Sequence, residues 1–147
     1  MPANIDPIFS IAGDVTTNGS TGMASLITAA ANDTTGAGAN NVLVFTAGSN
    51  GSYVQRLRFK AGTAPSTNNV ATVARIFINN GSTNTTASNN TLYDEIALPA
   101  TTTSATAGTP TIDLPMNIAL PAGFRIYVGL GTAVSGGWMV TPVAGKY

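Results

Sequence analysis

Residues 52–60, Ser-Tyr-Val-Gln-Arg-Leu-Arg-Phe-Lys, alternate with a period of two, and a chain that repeats such runs between turn signals is set to form β-sheet. Neighbours on a strand point to opposite faces. The run therefore predicts Tyr53, Gln55, Leu57 and Phe59 on one side and Val54, Arg56, Arg58 and Lys60 on the other. Residues 70–79 repeat the theme: Val70, Thr72, Ala74, Ile76 and Ile78 face one way, and Ala71, Val73, Arg75 and Phe77 the other. Val42-Leu43-Val44-Phe45 is a short continuous apolar run, which predicts a central strand covered on both faces. Between it and residues 52–60, Asn50-Gly51 predicts a hairpin, because both residue types accept positive φ at low cost.

Further strands are predicted at 91–98, 111–120, 124–130 and 137–143, with shorter ones at 8–16 and 25–31, for eight or nine in all. Pro99, Pro110, Pro115, Pro121 and Pro142 are expected at strand ends or sheet edges. The one rival element is residues 22–31, where Met23-Ala24-Ser25-Leu26-Ile27-Thr28-Ala29-Ala30-Ala31 has the propensity for a short helix; strand is the preferred reading. Strands of this length, with longer loops at 61–69, 82–90 and 99–110, predict an all-β fold, a β-sandwich of jelly-roll type, with a closed barrel as the alternative. A chain of 147 residues with 44% apolar content has material for one core. Such a domain buries roughly 70% of its extended-chain surface. The expected organisation is residues 1–12 as an N-terminal arm or first strand and residues 13–147 as a single sandwich domain.

Composition narrows the chemistry. The chain has no histidine, no cysteine and only 8% charged residues, so general acid-base, thiolate and soft-metal chemistry lack their usual groups. No enzymatic activity and no cofactor are expected. Six basic and six acidic residues balance to zero, which predicts no nucleic-acid partner. No apolar run approaches the roughly 20 residues of a spanning helix, so no membrane partner is expected. Met1-Pro2-Ala3-Asn4 has neither the basic stretch nor the apolar core of a signal peptide, which reads as a soluble protein made inside the cell. Polarity comes from Thr, Asn and Ser, and a surface near zero net charge gives little protection against self-association.

Individual candidates follow. Asp94 and Glu95 are adjacent on a strand, point apart, and cannot form a catalytic pair; a solvated edge is their expected place. Asp6, Asp14, Asp33 and Asp113 are isolated in sequence, and a calcium site would need several to converge. Arg56, Arg58 and Lys60 are half of the positive charge on one strand face. They suit an acidic partner, or cross-strand pairing with Asp94, Glu95 or Asp113. Trp138 suits core packing, a subunit contact or a sugar platform. Gly129-Leu130-Gly131 lacks the glycine and lysine of a phosphate loop.

The segments Asn41-Val42-Leu43-Val44-Phe45, Ser49-Asn50-Gly51-Ser52-Tyr53-Val54-Gln55-Arg56-Leu57-Arg58-Phe59 and Ala71-Thr72-Val73-Ala74-Arg75-Ile76-Phe77-Ile78-Asn79-Asn80-Gly81 resemble small structural proteins of tailed bacteriophages. Leu120-Pro121-Ala122-Gly123-Phe124-Arg125-Ile126 and Gly137-Trp138-Met139-Val140 fit the same pattern, so the likeness covers about residues 40–147. Within that group the chain resembles capsid decoration, or cement, proteins. The resemblance implies a β-sandwich module that binds the outer surface of the major capsid protein shell as a homotrimer and stabilises the virion, after synthesis in the bacterial host cytoplasm. Three tethered contacts would act at high effective concentration. The partner-binding residues expected on this reading are Ile5, Pro7, Ile8 and Phe9 of the N-terminal arm, together with Arg56, Arg58 and Lys60. The alternative is a phage fibre or tail module that binds a host receptor or glycan, with Trp138, Tyr53, Tyr93 or Tyr127 as platforms.

Overall fold

A computed structural model describes residues 10–13, 15–17, 20–22, 24–62 and 68–147. In chain order the strands are β1 (Ile11–Ala12), β2 (Val15–Thr17), β3 (Ser20–Gly22), β4 (Ser25–Ile27), β5 (Val42–Thr46), β6 (Ser52–Ala61), β7 (Asn68–Asn69), β8 (Thr72–Asn79), β9 (Asn90–Leu98), β10 (Thr101–Thr102), β11 (Thr111–Leu120), β12 (Arg125–Leu130) and β13 (Trp138–Lys146). The only helical turn among the described residues is a 3-10 turn at Ala87–Asn89. The chain is a single small all-β domain. Residues 24–31 do not wind: β4 is followed by a parallel bridge from Ala30 to Leu130, so sheet pairing overrides the local helix propensity.

One sheet runs β1-β13-β6-β11, with β4 also on β13; the other runs β5-β12-β8-β9, and every strand pairing in both is antiparallel. Two small ribbons, β2-β3 and β7-β10, lie outside them. Both large sheets contribute to one buried cluster: Leu57, Phe59, Leu114, Trp138 and Val140 from the first, and Phe45, Ile76, Leu98, Ile126 and Val128 from the second. The layered arrangement follows from period-two strands that each have one apolar face to bury.

Four expectations need correcting. β5 is an edge of its sheet and not a centre. Val44 and Phe45 are nevertheless both fully buried, so its apolar run reflects cover on both faces rather than strand neighbours on both sides. Asn50-Gly51 is a tight turn, closed by Gly51 N–H donating to the Gly48 carbonyl at 3.1 Å, with Gly51 alone at positive φ (109°). It is not a hairpin, because β5 and β6 belong to different sheets and the turn carries the chain across the core.

The alternation along β6 breaks once. Arg56 faces Val143 of β13 and Val54 faces Ala144, leaving Gln55 as an extra residue: a β-bulge, matched on β11 by an irregularity between Pro115 and Ile118. The bulge shifts the phase. Val54 therefore joins Leu57 and Phe59 in the core, and Tyr53 turns half outward to donate to Asn117 Oδ1 at 3.2 Å. The phase of β8 does hold, with Ala74 and Ile76 in the core and Phe77 on the far side.

Pro142 lies inside β13 rather than at an end. Its carbonyl accepts from Gly13 N–H on the outer side of the strand, and in an antiparallel strand a residue's own N position faces the same way. That position falls between the stretch of β13 paired with β4 and the stretch paired with β1, so no ladder hydrogen bond to β6 is lost.

Candidate functional site

The outer face of the β13-β6-β11 sheet gathers the predicted cations. Strand register sets them in rows: Met139, Lys60 and Thr111; then Thr141, Arg58 and Asp113; then Val143, Arg56 and Pro115. Arg58 holds Asp113 in a two-pronged pair, Nε to Oδ1 at 2.7 Å and Nη2 to Oδ2 at 2.8 Å. Arg56 Nε stands 3.7 Å from the same carboxylate, and Arg56 Nη1 donates to Gln55 Oε1 at 2.9 Å. Lys60 Nζ donates to the Thr109 carbonyl and to Thr111 Oγ1.

Of the two sequence readings, cross-strand pairing accounts for Arg58 and part of Arg56. Arg56 and Arg58 share one carboxylate while Lys60 is held by neutral oxygens, so among the described residues the face keeps an excess of positive charge. The hydrogen bonds from Arg58 hold the Asp113 carboxyl below the usual carboxylate range, against a smaller upward push from burial, and the field of Arg56 adds to this. The same partnership raises the Arg58 guanidinium. Beside Lys60, the cross-strand pair Leu26 and Met139 exposes 45% and 40% of its surface and forms an apolar shoulder. Sequence reasoning missed this shoulder because Leu26 and Met139 lie more than a hundred residues apart and meet only through β4 pairing with β13. Ile5, Pro7, Ile8 and Phe9 lie outside the described residues.

The aromatic candidates divide. Trp138 is fully buried and Tyr127 is 8% exposed, so neither offers a ring face as a platform. Tyr53 is half-buried, and Tyr93, 41% exposed on edge strand β9, is the open one. Asp94 Oδ1 accepts from Glu95 N–H at 2.7 Å, and Glu95 pairs with Arg75 at 2.8 Å. Among the described residues no three acidic side chains converge as a metal site would require.

On the opposite outer face, over β8 and β12, the loop at 33–41 is organised by one carboxylate. Asp33 Oδ1 accepts from Thr35 N–H (2.8 Å), Thr35 Oγ1 (3.0 Å) and Gly36 N–H (2.6 Å); Oδ2 accepts from Gly38 N–H (3.1 Å) and Asn41 Nδ2 (2.8 Å). Burial pushes this carboxyl up, but donors on Asn41, Thr35 and the backbone of Thr35 and Gly36 outweigh it and hold the group below its ordinary value. With its lone pairs turned to N–H and O–H donors, Asp33 is poorly placed to ligate a cation. Gly36 rests on the Phe77 ring and helps bury it from outside.

Asn41 is pinned on both sides. Its Nδ2 is held by Asp33, and its buried Oδ1, which has no hydrogen-bond partner, lies against Gly129 in the space a Cβ would fill. Gly129→Ala is therefore expected to drive the Asn41 amide off the sheet, release the Asp33 hub and cost about 1–3 kcal/mol. Urea unfolding of the variant measures this; a loss of a few tenths would show that the loop adjusts freely.

Comparison of the chain with protein-family models, with curated proteins and with solved structures gives no match.

Proposed function

We propose that the chain is a virion structural protein: a capsid decoration, or cement, protein that binds the outer surface of the major capsid shell and stabilises it. The role is non-catalytic, the working unit is a homotrimer, and the fold is a β-sandwich of jelly-roll type. Strand order supports the fold reading. With β4, β5, β6, β8, β9, β11, β12 and β13 as eight successive strands, the first, eighth, third and sixth lie in one sheet and the second, seventh, fourth and fifth in the other, in the order β5-β12-β8-β9. Two nested Greek keys generate this order.

The observation that carries the functional reading is the outer face of the β13-β6-β11 sheet. Among the described residues Arg56, Arg58 and Lys60 stand there with Asp113 as the one carboxylate, beside the exposed Leu26–Met139 shoulder. A flat face with excess charge and adjoining apolar area suits an extended acidic protein surface, where charge steers approach and apolar burial supplies affinity.

Light scattering on the purified protein, followed by co-sedimentation with empty shells of its phage, tests the proposal. A trimer that pellets with shells is expected. The charge-reversing pair Arg56→Glu and Arg58→Glu should abolish pelleting, with the steepest dependence on salt at low ionic strength. Arg58→Ala should leave the unfolding midpoint nearly unchanged, since its ion pair is exposed. A protein that ignores shells and binds host cells would overturn the cement reading in favour of a fibre or tail module.

A further inference from the structure

The face opposite the basic one carries a cleft lined by loop and strand residues. An open groove of about 500 Å³ runs between residues 39–43 and residues 84–85, with Tyr127 of β12 in its lining. This volume falls within the range of small-molecule sites, about 300–1,000 Å³.

Val42 and Leu43 of the first wall belong to β5 and are held by its pairing with β12, and side-chain hydrogen bonds hold the loop parts of both walls. The Asp33 hub fixes the first wall as described. An asparagine network fixes the second: Asn79 Nδ2 donates to Asn90 Oδ1 at 2.8 Å and Asn80 Nδ2 to Asn89 Oδ1 at 3.2 Å. Asn90 Nδ2 then donates to the carbonyls of Asn84 (2.8 Å) and Thr86 (3.2 Å), and Asn89 Nδ2 to that of Thr83 (2.9 Å). Walls tied in this way lose little conformational freedom when a ligand enters, which favours affinity without further contacts.

The lining chemistry identifies the ligand class. No lining residue is charged, so an anionic ligand finds no cation and a cationic ligand no carboxylate. What the groove offers is amide, hydroxyl and aliphatic surface side by side: Asn84, Thr85 and Tyr127 with Val42 and Leu43. Among the described residues nothing engages the Asn84 side-chain amide or the Tyr127 hydroxyl. Thr85 Oγ1 shares one bond with Thr83 Oγ1 at 2.9 Å and retains capacity for another. A pyranose ring presents the complement, with adjacent hydroxyls for amide and hydroxyl partners and C–H faces for the aliphatic ones.

We infer that this groove is a binding site for a neutral carbohydrate, with the Asn84 amide and the Thr85 and Tyr127 hydroxyls as its hydrogen-bonding set. The site is independent of the capsid reading, because it occupies the other outer face and shares no residue with the basic one. A particle decorated through Arg56 and Arg58 would present the groove outward.

The test is titration of the isotope-labelled protein with glucose, galactose and N-acetylglucosamine, followed by NMR. At least one sugar should give saturable shifts at the Asn84 side-chain amide and the Asn41 and Thr85 backbone amides, with affinity of about 1 mM. Asn84→Ala and Thr85→Ala remove groups that no described tertiary contact requires. Each should weaken binding about tenfold, the loss of one hydrogen bond, with the rest of the spectrum unchanged. Tyr127→Phe should act in the same direction. The proposal is overturned if no sugar gives saturable shifts, if the shifts centre on exposed Tyr93 instead, or if the variants bind as the parent does. Because shell pelleting is measured separately with the Arg56 and Arg58 variants, failure here would leave the cement reading intact.

Discussion

Replacing Trp138 by alanine is expected to destabilise the protein by about 3–5 kcal/mol, the range for emptying a large aromatic site in a packed core. Trp138 is the first residue of β13, fully buried, and faces the same way as its cross-strand neighbours Ala61 and Ile27. A cavity of indole size there cannot be filled without moving a strand that pairs on both edges. For a domain of this size the melting temperature should fall by roughly 10 °C or more. Trp138→Phe should cost much less: some volume is lost, but the buried indole N–H, which has no partner, is lost with it. Urea denaturation followed by circular dichroism measures both. An alanine variant of near-parental stability would mean that the ring is not core and would return it to consideration as a surface platform. As the only tryptophan in the chain, Trp138 also makes parental fluorescence a direct report on the core.

The second large effect is expected at Asp33 and is pH-dependent. Its carboxylate accepts five hydrogen bonds, and Asp33→Ala would leave Gly36 N–H, Gly38 N–H and the Asn41 amide without an acceptor. In a fully buried site such losses would be severe. Here water reaches the loop and replaces part of what is removed, so a loss of about 2 kcal/mol is expected.

Because the folded-state pKa of Asp33 is lowered, its contribution to stability is complete above the unfolded-state value of about 3.9 and is lost as pH falls through the folded value. The unfolding free energy should therefore decline on acidification below about pH 4. Asp33→Asn should flatten that decline, since an amide cannot accept from all five donors and does not titrate there. Asp113 is also lowered and acts in the same direction, but its partner Arg58 is exposed and salt weakens the pair. Chemical denaturation between pH 2 and 7 in high salt separates the two. If Asp33→Asn follows the parental curve at high salt, the hub is not what stabilises the loop. If the decline persists only at low salt, Asp113 is its source.

Among the functional candidates, the basic row was legible in the sequence because Arg56, Arg58 and Lys60 lie on one side of the β6 bulge, where alternation survives. The partner of the two arginines was one of three named carboxylates, and register selected Asp113, which faces Arg58 on β11. The groove was not legible. Asn41, Asn84 and Tyr127 come from three separate segments, and asparagine in a loop has no signature beyond turn formation. Its usefulness there depends on which carbonyls its amide reaches.

Period-two alternation and turn chemistry by themselves determined the all-β character and the position of nearly every long strand, because these depend on residues adjacent in the chain, and composition alone determined the poverty of titratable groups. Tertiary structure alone decided which strands share a sheet: β5 becomes an edge, the Asn50-Gly51 turn crosses the core instead of closing a hairpin, and Pro142 sits where β13 changes partners. It also moved Val54 inward, since a single extra residue at Gln55 reverses every side chain beyond it. Pairing partner and register are set by the shared burial of faces that lie tens of residues apart, and no local pattern contains that information.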